Sequence, residues 1–371
     1  MATQGTAQPI LSVLKTGFMG IAVVLLLAGL CIFPFNYHQF TGWVGIAFMC
    51  ATPTQVILSL LWQNKLPNLI GSLPQPQKGF ALTAVTIVMG ALFTIILSTL
   101  VGQGFGDTPM FIQYIILSVV VTLWLVPIWH CWPLTLLSKN PQIFGVLALF
   151  TVYLISYAAW LVFFNYTALT HIPTPQGEIV HPMYHSELDP QGLFDSWLAL
   201  TFAVTTAGLI VVHSLLDFWP IKKLTFGKGQ PIFGIVASVY ILLLAYFIRW
   251  FFVDYIGMEQ VSYMIQVPVS LLFGSFLVNN MMQFSLFTNM IQPIRGLVLF
   301  VCALIAGLLM FQLYSVASTW FSGYELMSGP SHGWQLELWI ATAMLGITFP
   351  LIFVVSGYFD FWLLKPKNNE N

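Results

Sequence analysis

Ten long apolar runs, separated by short polar breaks, decide what this chain can fold into. They span 12–35, 41–62, 79–101, 111–133, 143–168, 196–219, 231–255, 261–288, 295–320 and 337–362. A helix needs about 20 apolar residues to cross roughly 30 Å of hydrocarbon, and each run meets that length. Lipid offers the backbone no hydrogen-bond partner, so runs this long are helices. A soluble alternative fails on charge: only 6% of residues are charged, against the roughly 25% that a soluble domain carries. The chain reads as all-α, a polytopic transmembrane helix bundle of about ten spans forming one integral domain over 1–371. Its first partner is the lipid bilayer.

Charge sorting supports the count. With the N-terminus inside, the inner side receives ten of the eleven basic residues, among them Lys15, Lys78, Lys139, Lys222, Lys223, Lys228 and Lys365. The outer side receives Asp107, Glu178, Glu187, Asp189, Asp195, Asp254, Glu259, Glu325 and Glu337, and no lysine. The positive-inside rule demands this asymmetry, which the loss of one span would scramble. Both termini are expected in the cytoplasm, and the chain in a bacterial inner (plasma) membrane. The first run follows Lys15 without a small-residue cleavage pattern, so it is kept as a span rather than a signal peptide.

The same punctuation returns along the chain. Inward-starting spans open with proline shortly before glycine: QPQKG at 75–79, PQIFG at 141–145, QPIFG at 230–234 and QPIRG at 292–296. The spans before them end in Trp62, HCWP (130–133) and DFWP (217–220), and the last run ends in DFWLLKP (360–366). Proline is tolerated there because first-turn N–H groups lack helical partners. The pattern suggests a repeated helical hairpin: down, basic turn, up. The stretch 213–234 holds the densest basic cluster.

Candidate chemistry is sparse. The long outer loop, 169–195, carries His181, His185, Glu187 and Asp189 as donors to a metal ion; its plain alternative is a solvated loop. His130, and His213 four residues before Asp217, could relay protons or meet a quinone at the inner mouth; the alternative for the acids is pairing with nearby lysines. Within the spans, Gln55, Gln266, Asn279, Asn280 and Gln283 could line a solute cavity or simply join helices. Arg249, the one basic residue away from the inner side, is either a solute contact or the partner of Asp254 or Glu259. Span eight, rich in amides and holding Pro268, is expected to be broken or tilted.

Several classes are excluded. No GxxxxGK[ST] and no Rossmann fingerprint occurs, so this chain does not hydrolyse ATP. Basic residues are too few for a nucleic-acid surface. Cys31, Cys50, Cys131 and Cys302 lie in apolar runs without a CxxC pair, as buried hydrophobes do. Three readings stand: a permease for a small solute, the membrane subunit of a redox or metal-dependent complex, and a non-catalytic anchor for partner subunits.

Overall fold

The structure is a computed structural model that describes residues 10–65, 67–104, 108–174, 177–180 and 184–365. Among the described residues ten helices are long and apolar enough to cross a membrane, and they fall into two sets. Spans one (Leu11–Ile32), three (Gln77–Leu100), five (Pro141–Phe163), seven (Ile232–Tyr255) and nine (Ile294–Ser322) bury only 28–33% of their most apolar stretch. Spans two (Tyr37–Leu61), four (Pro109–Ile128), six (Ser196–Leu215), eight (Gln260–Met281) and ten (Gln335–Tyr358) bury 67–78%. The even spans therefore form the interior, and the odd spans present leucine, isoleucine and phenylalanine outward, where lipid tails solvate them.

The even spans close on themselves. Span two packs on four, four on six, six on eight, eight on ten, and ten returns to two. Each odd span lies outside this ring in the groove between two of its members: three on two and ten, five on four and two, seven on six and four, nine on eight and six, one on ten and eight.

The punctuation in the sequence has a physical meaning. Each even span stops at two consecutive left-handed residues: Gln63–Asn64, His130–Cys131, Asp217–Phe218, Gln283–Phe284 and Asp360–Phe361, all with φ between 47° and 58°. The N–H of the second residue reaches back five or six positions, as from Asn64 to Leu58, Cys131 to Leu125 and Phe218 to His213, satisfying carbonyls the helix end leaves open. No glycine supplies the turn. Asn, Asp and His are the side chains that best tolerate this conformation, which accounts for His130, Asp217 and Asp360 at like places. The expected ends at 133, 219, 288 and 362 therefore run four to seven residues too far. The helices stop at Ile128, Leu215, Met281 and Tyr358.

The glutamine ahead of the odd-span proline is a clip. Gln75 Nε2 donates to Tyr358 O at 2.7 Å, Gln230 Nε2 to Ile128 O at 2.6 Å and Gln292 Nε2 to Leu215 O at 3.1 Å. In two of them the amide oxygen accepts from the glycine N–H four residues on, Gly234 or Gly296, at 3.1 Å. The glycine lets the odd helix come in close. A Cβ at Gly79 would stand 2.6 Å from Phe359, at Gly145 2.3 Å from Trp62, and at Gly234 2.8 Å from Trp129. Each such glutamine joins an odd span to the far wall of its groove, the ring member other than the one just before it in the chain.

Prolines interrupt four of the five ring members: Pro53, Pro127, Pro268 and Pro350. Wide π-helical turns absorb them or lie nearby, at Ile57–Leu61, Trp124–Ile128, Ile265–Val269 and Thr342–Thr348. Span eight is thus one continuous helix with local widening, not a broken one.

The long outer loop is folded over its end of the bundle. Phe164–Asn165 pairs with Phe194–Asp195, and Ile172–Thr174 with Gly177–Ile179. Leu169 and Leu188 are buried, and Asp189 accepts from Tyr166 N–H, Gln191 N–H and the Tyr184 hydroxyl. These contacts make it a cover with short strands rather than a plain solvated loop.

Candidate functional site

A cavity of about 480 Å³ opens at the lysine-bearing end of the ring. Four ring members supply its wall: Leu60 from span two, Leu123, Val126 and Pro127 from four, Ile210, Val211, Ser214 and Leu215 from six, and Phe276, Asn279 and Asn280 from eight. It reaches between spans six and eight to Gln292, Arg295 and Leu299 of span nine and its approach. The wall is largely apolar, with amides, one hydroxyl and charge gathered on the side of spans six, eight and nine. Small-molecule sites commonly have this make-up.

Local structure positions each polar group. Asn279 and Asn280 sit in the π-helical turn Leu277–Met281, where Asn280 Nδ2 donates to Phe276 O at 3.0 Å. Ser214 donates to Val211 O at 2.6 Å. Arg295 is anchored by its Nε to Leu286 O at 3.0 Å and by a terminal nitrogen to Phe284 O at 2.8 Å. Asp217, at the mouth, pairs with Lys222 at 2.6 Å. Deeper in, Phe276 packs against Phe349 and Phe353 of span ten, with ring centroids 4.6 and 5.5 Å away. Of the three rings, Phe276 lines the cavity, and the two from span ten stand behind it.

Of the expected residues, the structure brings together Asn279, Asn280 and Asp217 here. The others lie elsewhere. Gln55 is fully buried and donates to Pro350 O at 2.9 Å. Gln266 is half-buried in the widened turn beside Pro268. Gln283 occupies the left-handed turn that ends span eight. Arg249 binds Asp254 at 3.0 Å at the opposite end of the bundle, as its simpler reading required.

His213 and Asp217 do not share a helix face, because span six ends at Leu215 and Asp217 turns away with φ 51°. His213 instead shares a hydrogen with Leu209 O at 2.8 Å and meets Tyr240 edge-on. His130 is exposed and stacks on Phe233 with centroids 5.6 Å apart; burial of part of its ring, then the nearby Lys222, hold its pKa below the ordinary value. Asp217 and Asp360 each pair with the lysine five residues on, Lys222 and Lys365.

In the outer loop, His181 lies outside the described residues. His185 is half-buried, Glu187 accepts through its backbone carbonyl from Gln103, and Asp189 organises the loop. Among the described residues no three His, Cys, Asp or Glu side chains gather as metal ligands do.

Sequence reasoning passed over Ser214, Phe276 and Arg295 as site residues; only the packing of spans six, eight and nine brings them to one cavity. It also placed Glu337 simply among the outer-side acids. That carboxylate is 2% exposed and accepts from Ser262 at 2.8 Å, from the Ser328 hydroxyl and from Gly329 N–H at 3.4 Å. It ties the loop after span nine to the start of span eight.

No family model matches this sequence, and no curated protein or solved structure matches it either.

Proposed function

We propose that this chain is an integral membrane permease that moves a small solute through the centre of its five-membered ring, without hydrolysing ATP itself. One observation carries the reading: a cavity of about 480 Å³ walled by four ring members, with polar groups on one side and the Phe276 ring, backed by Phe349, on its wall. A bundle whose only task was anchoring would gain by packing that space, since interiors are otherwise close-packed. Prolines and widened turns in the ring members fit a path, because they loosen the helices that would have to move.

The test is uptake of candidate small solutes into vesicles holding the purified chain. Asn279→Leu and Asn280→Leu each remove an amide from the wall and are expected to slow uptake about tenfold, the worth of a typical hydrogen bond. Phe276→Ala thins that wall and is expected to speed flux. Uptake that all three substitutions leave at the wild-type rate would sink the reading.

A further inference from the structure

Apart from the cavity, a seam of neutral oxygen atoms runs between spans two, three and ten. Five buried side-chain oxygens here make no hydrogen bond of good geometry among the described residues, although Gln55 and Ser59 both approach the Tyr358 hydroxyl: Thr54 Oγ1, Gln55 Oε1, Ser59 Oγ, Asn64 Oδ1 and Gln75 Oε1. From Thr54 to Asn64 they descend span two from its middle to its lysine end, about 15 Å of helix rise. Thr54 and Gln55 are almost wholly buried; Asn64 and Gln75 are half-buried at the lysine end.

The orientation of the three carboxamides is set by their nitrogens. Gln55 Nε2 is held by Pro350 O, Asn64 Nδ2 by Gly357 O at 3.2 Å and Gln75 Nε2 by Tyr358 O, all carbonyls of span ten. A carboxamide whose nitrogen is committed presents its oxygen the other way. The Tyr358 hydroxyl adds to the surplus. Thr86 has one proton and gives it to Leu82 O at 2.9 Å, so in its 2.8 Å contact with Tyr358 the phenol is the donor. The phenol oxygen then offers only lone pairs to Gln55 and Ser59, which stand beside it. Ser59 has a single proton and cannot serve both Gln55 Oε1 and the phenol oxygen.

Buried acceptors without donors are costly, and a positively charged ligand removes the cost. None of the side chains named here is a carboxylate or an imidazole, so they do not store a proton near neutral pH. A divalent ion would want carboxylate ligands. A monovalent alkali cation needs only oxygens, and membrane bundles hold such ions with neutral groups beside interrupted helices. Pro53 and Pro350 interrupt spans two and ten at this depth.

We infer that Gln55, Ser59 and Tyr358 hold a sodium-sized monovalent cation, which enters from the lysine end past Asn64 and Gln75. The site stands independently of the permease reading, since binding is measured without transport. The experiment is equilibrium binding of radioactive sodium to the purified full chain in detergent, with choline replacing sodium at constant ionic strength. Saturable binding is expected, together with a sodium-dependent rise in Tm that choline does not reproduce. Ser59→Ala and Tyr358→Phe, small changes that keep the packing, should each weaken binding about tenfold. Gln55→Glu, which keeps the oxygen and adds charge, should tighten it. The inference is overturned if the wild-type chain shows no saturable sodium binding, as when water alone fills the seam. It is equally overturned if folded Ser59→Ala and Tyr358→Phe bind sodium like wild type.

Discussion

The polar residues at the lysine-bearing ends of the ring members are mostly turn-makers. His130, Asp217 and Asp360 hold left-handed backbone at the stops of spans four, six and ten. Their recurrence was visible in the sequence, but its cause was not, because backbone φ leaves no mark beyond a mild preference for residue type. The Asp217–Lys222 and Asp360–Lys365 pairs are largely exposed and contribute little to stability. His130 is different, because its pKa is lowered, first by burial and then by Lys222. Above about pH 6.5 the ring is neutral whether the chain is folded or unfolded. As pH falls below that, the unfolded chain takes up the proton first, so stability declines until the pH passes the lowered folded value. Tm measured from neutral to acid pH should therefore drop less in His130→Gln than in wild type. Parallel curves would remove His130 from the account.

Between elements, close approach of backbones carries much of the packing. A Cβ at Gly274 of span eight would lie 2.0 Å from Ala303 O of span nine, and one at Gly307 would lie 2.1 Å from Ser270 O. Neither backbone can yield without separating the helices. Gly29 of span one is different: a Cβ there would meet Phe321 at 3.6 Å, an ordinary contact. Gly274→Ala should cost about 3 kcal/mol or more through overpacking. Gly29→Ala should be neutral or stabilising by up to about 1 kcal/mol from helix propensity. Thermal unfolding in one detergent separates the two, and equal losses would contradict the geometry. The glutamine clips work at this scale too. Each ties a span start to a carbonyl of a neighbouring helix, a bond worth about 0.6 kcal/mol on average inside membranes. Glutamine, proline and glycine at fixed spacing were legible as punctuation. Which carbonyl the glutamine holds was not, since it belongs to a helix roughly 80 to 280 residues away in sequence.

For the whole molecule, the lysine-rich ends of the spans gather on one side and the long acidic loops on the other. The positive-inside rule then predicts a cytoplasmic lysine end. Single cysteines test this in intact cells. Lys228→Cys should be shielded from a membrane-impermeant maleimide, and Leu193→Cys, 71% exposed in the outer loop, should react with it. Labelling of Lys228→Cys alone would invert the topology.

Run length and charge asymmetry, both readable along the chain, determined that this is a ten-span helical membrane protein, because the thickness of the bilayer and its lack of hydrogen-bond partners act on each segment by itself. A weaker signal went unread: interior prolines at 53, 127, 268 and 350 fall only in even spans, where neighbouring helices can cover the freed carbonyls. Tertiary structure alone decided that the even spans close into a ring. It also decided that Asn279 and Asn280 face a shared cavity while Gln55 faces span ten, and that His213 and Asp217 part. Those outcomes depend on which helix lies beside which, and spans that are apolar all round carry too little amphipathic pattern to specify their neighbours.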